Sequence, residues 1–324
     1  LPLTTRPPLR PNNPQITRGT AHYRNSLFYV NCNQTAKKRT QSDHRQRETV
    51  SSCWPIRLKL TFIMADRKPR KRAIKHKVRS SRKSYWLYGL HSVLAALHNP
   101  ARRGERLVAT QAAVSAVGEI PGTSPTLQII KPEALTELLP VGAVHQGLAL
   151  LVSPLTVPNL ESVLPDVVDK DDPSVLILDQ VTDPRNVGAI LRSAAAFNTK
   201  AVIVPDRHAP SESGVMVKAA SGAFELVPMI RVPNLSQALR QIATRGYWCI
   251  GLDQNGERSL TDAIVESPMA LIIGGEGKGL RRLTRERCDD LARIPIASTV
   301  PSLNVSTSAA IALYEINCRL KTSN

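Results

Sequence analysis

The stretch Val175-Leu176-Ile177-Leu178-Asp179-Gln180-Val181-Thr182-Asp183-Pro184-Arg185-Asn186-Val187-Gly188-Ala189-Ile190-Leu191-Arg192 reads as a strand, a loop and the start of a helix. Four consecutive aliphatic residues of strand length fit a strand covered on both faces. Pro184 forces the preceding residue extended, and Asn186 can cap a helix expected over residues 186–197. Gly188 inside that helix lowers its intrinsic stability, so a close neighbour is expected against it.

The same alternation continues outward. Strands are expected at 201–204, 227–230, 248–252, 270–273 and 292–296. Helices are expected at 213–220, 235–244, 280–291 and 305–319. Strands and helices in alternation need crossover connections, hence an α/β fold with a mostly parallel sheet covered on both faces. Upstream, an apolar stripe at helical spacing over 88–97 ends at Asn99-Pro100. Short apolar runs at 106–109 and 127–130, a helical pattern at 132–139 and a strand at 145–151 complete a small α/β domain over 85–151. Residues 152–173 form a Pro- and Asp-bearing linker, and 174–324 make the larger domain.

The chain has 324 residues and a formal net charge of +17. The charge is not spread evenly. Residues 1–84 carry 21 Lys and Arg against three acids, a net of +18, whereas 85–324 are nearly neutral at −1. The run RKPRKRAIKHKVRSSRK at 67–83 holds ten of these bases and reads as a solvated, disordered basic tail able to neutralise phosphates. Residues 1–63 lack periodicity, and the first Met is Met64. This suggests translation from Met64 with an upstream extension before it, or alternatively an organellar transit peptide. No apolar run approaches the ~18 residues of a membrane span, so a soluble protein is expected, and the cysteine usage fits a reducing cytoplasm. Five scattered cysteines without a C-x-x-C pair argue against a zinc site or a disulfide framework.

Three loops at expected strand ends carry unusual clusters, and ligands of such sheets bind there. The first is the opening stretch, with Asn186 and Arg192 about 240° apart on an ideal helix. The second, Gly274-Gly275-Glu276-Gly277-Lys278-Gly279-Leu280, is no phosphate loop, because no Ser or Thr follows its Lys. The third, Ile294-Pro295-Ile296-Ala297-Ser298-Thr299-Val300-Pro301-Ser302-Leu303-Asn304-Val305-Ser306, opens the last helix, where Ser302 or Asn304 could be a plain cap.

Taken together, N-x-G-x-x-x-R, G-G-E-G-x-G-L and I-P-x…S-L-N-V-S in this order resemble the SpoU/TrmH family of the knotted SPOUT methyltransferase superfamily. The resemblance spans 85–324. Tyr88-Gly89 and His145-Gln146-Gly147 look like the amino-terminal substrate-binding module of its ribosomal-RNA branch, which is similar to ribosomal protein L30e. Ile296 stands where the family often has Met, and Thr307-Ser308 replaces a more apolar pair.

The resemblance implies a deep carboxy-terminal trefoil knot, a rare exception to unknotted topology. It also implies S-adenosylmethionine as methyl donor, with Leu252, Gly275, Ile294, Ile296 and Leu303 lining its pocket. The implied reaction is 2′-O-ribose methylation of RNA, most readily of a guanosine in 23S ribosomal RNA. Alternatives are a tRNA or resistance-type methyltransferase of the same family, or a non-catalytic ribosome-assembly factor. Arg192 and Ser302 would serve the chemistry, with Asn186, Glu276 and Asn304 orienting it, no metal, and a homodimer formed through the last helix. A guanidinium with a pKa above about 12 is a poor base, so Arg192 is expected to stabilise the 2′-oxyanion or a phosphate.

Deleting residues 64–84 should weaken RNA affinity and flatten its salt dependence, measured by filter binding across a salt series. An unchanged slope of log affinity against log salt would show that the tail does not touch phosphates.

Overall fold

The computed structural model of the chain describes residues 83–118, 125–169, 172–265 and 268–322. The basic tail and the region before Met64 lie outside the described residues, so the expectations for them stay expectations.

Two sheets organise the described chain. The first contains β1 (Tyr85–Tyr88), β2 (Gly104–Ala109), β3 (Leu127–Ile129) and β4 (Leu148–Val152), in the order β1-β4-β2-β3. Around it lie α1 (Leu90–His98), α2 (Gln111–Val117) and α3 (Pro132–Glu137). After the turn α4 (Leu160–Val163), the second sheet begins with β5 (Val175–Asp179), followed by α5 (Pro184–Ala196), β6 (Ala201–Pro205) and α6 (Gly214–Ala220). Next come β7 (Met229–Val232), α7 (Leu235–Thr244), β8 (Trp248–Leu252), β9 (Arg258–Ser259) and α8 (Leu260–Ala263). The chain ends with β10 (Met269–Gly274), α9 (Arg282–Arg285), β11 (Asp290–Arg293) and α10 (Val305–Thr322). The order of this seven-stranded sheet is β7-β6-β5-β10-β8-β11-β9, and every pairing in it is parallel.

The aliphatic run of β5 is buried throughout because the strand has helices on both sides. Leu176 and Leu178 point into a core shared with α5, α6 and α10, while Val175 and Ile177 pack with Leu235, Leu239 and Ile242 of α7. Successive side chains of a strand alternate faces, so one run feeds two cores. The close neighbour expected at Gly188 is α6. A Cβ there would lie 2.3 Å from the Met216 carbonyl oxygen and 2.6 Å from the Ala219 Cβ.

The small sheet joins the larger one through a continuous core in which Leu87, Val93, Leu107 and Leu150 pack with Val217 and Phe224 among others. Gly214, opening α6, lies so close to β1 that a Cβ would meet the Trp86 carbonyl oxygen at 2.3 Å. A buried polar cluster seals this seam. The Arg102 side chain is fully buried and binds Glu212 and Glu225, each at 2.6 Å. Asn99 donates to Glu225 at 2.6 Å, and the Tyr85 hydroxyl donates to Glu212 at 2.5 Å. Burial, and then the neighbouring Glu212, push the Tyr85 phenol far above its usual range, so it stays a donor.

Several expectations are corrected. The helix expected from Asn186 begins at Pro184, because Asp183 takes the cap by accepting from the Arg185 N–H at 3.0 Å. The helix expected over 280–291 is only the single turn α9. Its entry is pinned by Asp179, which accepts from the Arg281 N–H at 3.0 Å. Its exit is pinned by Asp289, whose N–H and carboxylate pair with the C=O and N–H of Cys249, each at 2.8 Å. The last strand accordingly starts at Asp290 and stops at Arg293, two residues before Pro295, which has no N–H for a ladder. β1, α2, α4, β9 and α8 were not foreseen.

Replacing Arg102 by Met leaves two buried carboxylates without their cation. Urea unfolding should show a loss of about 3–5 kcal/mol, as for other broken buried ion pairs. A loss below about 1 kcal/mol would mean that the seam is held by its apolar contacts alone.

Candidate active site

The carboxyl ends of β10, β8 and β11 lie side by side, since Leu252 pairs with Ile273 on one flank and with Ala292 on the other. Loops leaving these ends enclose a cavity of about 560 Å³. All five residues expected at the cofactor, Leu252, Gly275, Ile294, Ile296 and Leu303, line it, as do Glu276 and Ser302.

The glycine loop owes its shape to Asp179, whose side chain is fully buried at the end of β5. Its carbonyl oxygen accepts from the Gly275 N–H at 2.8 Å, and its carboxylate takes the Arg281 N–H at 3.0 Å and the Arg281 Nε at 2.6 Å. One residue therefore grips both ends of the loop. Between them the chain doubles back, with the Gly279 N–H donating to the Gly275 carbonyl at 3.0 Å. A Cβ on Gly274 would lie 2.1 Å from the Gly279 carbonyl carbon, and one on Gly275 would lie 2.4 Å from the Gln180 carbonyl oxygen. No side chain fits at either position.

At the rim of this loop three motifs meet. Asn186 Nδ2 donates to Glu276 Oε1 at 2.8 Å. Asn304 Nδ2 reaches the Asn186 Oδ1 at 3.2 Å and Glu276 Oε1 at 3.3 Å. Asn304 also caps α10, because its Oδ1 accepts from the Ser306 N–H at 2.8 Å and the Ser306 hydroxyl at 2.6 Å. The plain capping role and the site role belong to the same side chain.

Arg192 is not drawn into this cluster. It stands exposed on α5, outside the cavity lining. No ion pair or side-chain hydrogen bond engages it among the described residues. Asn186 faces the rim from the first turn of α5 while Arg192 projects elsewhere, as their angular separation of about 240° requires.

The lining suits a nucleoside-sized ligand. Leu252, Ile273, Ile294, Ile296, Leu303 and Val305 offer apolar surface. The backbone N–H groups of Ile296 and Leu303 form no hydrogen bond with the protein among the described residues. Apolar walls with a few backbone donors fit a flat heteroaromatic base. Cys249 and Cys288 are not among the cavity lining and pack in the core beside α7, where burial, and next Asp289, push both thiols up to about 12. They stay protonated and offer no nucleophile. Several lining residues were given no role by the sequence reading, among them Asp253, Lys278, Arg285 and Pro301. Asp179 and Asp253 carried one legible signal, an acid at the carboxyl end of an aliphatic strand.

A seven-stranded parallel sheet with glycine-rich and cap-bearing loops at its carboxyl ends defines an α/β protein with a ligand-sized cavity at its strand ends, and comparison with known proteins gives its family. Residues 173–314 match the SpoU rRNA Methylase family. The 23S rRNA (guanosine-2′-O-)-methyltransferase RlmB of Pseudomonas aeruginosa is 36% identical over 249 residues, covering 72% of this chain and 96% of that protein. RlmB of Escherichia coli strain K12 is 38% identical over 244 residues, covering 72% of this chain and 97% of that protein. The SpoU methyltransferase AviRb from Streptomyces viridochromogenes, solved in complex with AdoMet, superposes with a TM-score of 0.62. It covers 74% of this chain and 91% of its own at 23% identity, a likeness of fold. The chain belongs to the SpoU rRNA methylase family.

Gly275→Ala forces the glycine loop away from Gln180. Overpacking of this kind should lower stability by about 1–3 kcal/mol in urea unfolding. An unchanged midpoint would show that the loop has room to shift.

Proposed function

We propose that this chain transfers the methyl group of S-adenosylmethionine to the ribose 2′-oxygen of a guanosine in 23S ribosomal RNA. The observation that carries this reading is the meeting of Asn186, Glu276 and Asn304, from three distant motifs, at the rim of the cavity. The named activity of the RlmB relatives supports the choice of guanosine and of ribosomal RNA.

Leu252, Ile294, Ile296 and Leu303 would hold the cofactor, with Gly275 allowing close backbone approach. When bound, S-adenosylmethionine supplies a methyl group activated by its sulfonium. The chain's own residues then have to place a hydroxyl and stabilise the charge that develops on it. Ser302 lies in the cavity wall, where its hydroxyl can hydrogen-bond the incoming ribose. Glu276 ties Asn186 to Asn304, which keeps the entrance to α5 and the start of α10 in one geometry. Arg192 acts as fixed positive charge for the 2′-oxyanion or an adjacent phosphate. Its exposure and lack of an internal partner leave that charge available to RNA.

The proposal extends to architecture. Residues 85–151 form a substrate-binding module of the L30e type, 152–173 join it to the methyltransferase domain over 174–324, and α10 passes through a trefoil knot. In support, the segment 294–304 crosses the cavity that the β8 and β10 loops also line, and α10 then packs with the α5 core. The protein acts as a homodimer through α10, whose Ile311 and Tyr314 remain 40% and 56% exposed. No helix among the described residues is long and apolar enough to cross a membrane.

Arg192→Ala should lower methyl transfer to ribosomal RNA at least about 100-fold while calorimetric binding of S-adenosylhomocysteine is retained. Transfer is read as ribose methylation mapped on RNA from cells with and without the protein. Full activity in the variant would remove Arg192 from the chemistry, and no change in the map would overturn the ribosomal assignment.

A further inference from the structure

Beyond the apolar lining, the cavity contains a built polar element that the reaction scheme does not use. Asp253 follows directly on the end of β8, between the β10 and β11 loops, and lines the cavity with Arg285. Its side chain is only 7% exposed. One carboxylate oxygen accepts from the Asn255 N–H at 2.9 Å, and the other is paired with the Arg285 guanidinium. The backbone holds the residue as well, with the Asp253 N–H on the Ala292 carbonyl at 2.9 Å and the Gly256 N–H on the Asp253 carbonyl at 3.0 Å. Asp253 is thus fixed in place.

A carboxylate in such a position has spare acceptor capacity, because two oxygens offer about four lone-pair sites and only two are filled. Its charge, however, is already balanced by Arg285. A balanced carboxylate has little extra pull on an ammonium or sulfonium, and its open sites suit neutral O–H donors. A nucleoside presents such donors as a pair on adjacent ribose carbons. Near the glycine loop the linear sequence offers no acid at the spacing of a dinucleotide fold, but the adjacent strand supplies one in space.

We propose that Asp253, held and neutralised by Arg285, binds the ribose hydroxyl pair of the nucleoside cofactor. The proposal rests on reading the cavity as the S-adenosylmethionine site. It makes Asp253 a ligand-contacting residue and Arg285 the group that positions it. The amino-acid end of the cofactor then lies away from this pair.

The test is calorimetry on the full chain with three probes. They are S-adenosylhomocysteine, methylthioadenosine (which lacks the amino-acid end), and the 2′,3′-dideoxy form of methylthioadenosine. Asp253→Ala should weaken the first two by the same factor, tenfold or more, and leave the third unchanged from wild type. Asp253→Asn, which keeps the side-chain volume, should show the same pattern with a smaller factor and decides the matter if the Ala variant melts early. Undiminished binding of S-adenosylhomocysteine by both variants would overturn the proposal. So would a loss confined to S-adenosylhomocysteine, which would put Asp253 at the amino-acid end. Failure of the wild type to bind any probe would instead overturn the reading of the cavity, and this assignment with it.

Discussion

The buried carboxylate of Asp179 sits where β5 ends beside β10, and the arrangement of the site follows from what it holds. Its carbonyl binds the start of the glycine loop and its carboxylate binds the end, through both the N–H and the Nε of Arg281. Charge-assisted hydrogen bonds in a position shielded from water are stronger than their exposed counterparts. With its ends fixed, a loop of glycines has few ways to cross the gap. Glu276 is thereby presented at the rim, where Asn186 and Asn304 meet it. Remove that grip and the three motifs lose their common point.

A second constraint acts at the seam between the two sheets. The residues meeting there are partly apolar and partly charged, and the charged ones are the less forgiving. Arg102 is enclosed with two carboxylates and a tyrosine hydroxyl that burial keeps protonated. Such a cluster tolerates little misalignment, because an unpaired buried charge is costly. Close approaches at Gly188 and Gly214 add a steric demand, so β1, α6 and α5 stack with almost no room for side chains between them. The small sheet is therefore set against the helix that carries Asn186 and Arg192.

Much of this could be read in the chain. β8 and α7 fall where periodicity places them, and β5, β6, β7 and β10 lie within two residues of the expected bounds, because aliphatic runs and amphipathic stripes record burial directly. The residues expected around the cofactor line one cavity for a related reason. Each lies at or beyond the carboxyl end of a strand, and parallel topology collects those ends. The failures share a different cause. Residues 280–291 have a helical composition but form one turn, because Asp179 and Asp289 pin the segment at both ends. Asn186 has the right chemistry for a cap, but Asp183 precedes Pro184 and takes that place. Short elements such as α2 and β9 carry too few residues to show a period.

The alternation of strand and helix, the concentration of charge in the first 84 residues and the three ordered motifs are properties of the sequence by itself. They determine an α/β fold and a family, since each depends on neighbours along the chain. Only the tertiary structure decides that Asn186, Glu276 and Asn304 touch while Arg192 stands apart on an exposed face. It alone brings Asp253 and Arg285 together in the cavity wall, 32 residues apart in the chain. Those outcomes depend on which strand ends lie side by side, and local spacing carries no record of strand order when β10 enters between β5 and β8.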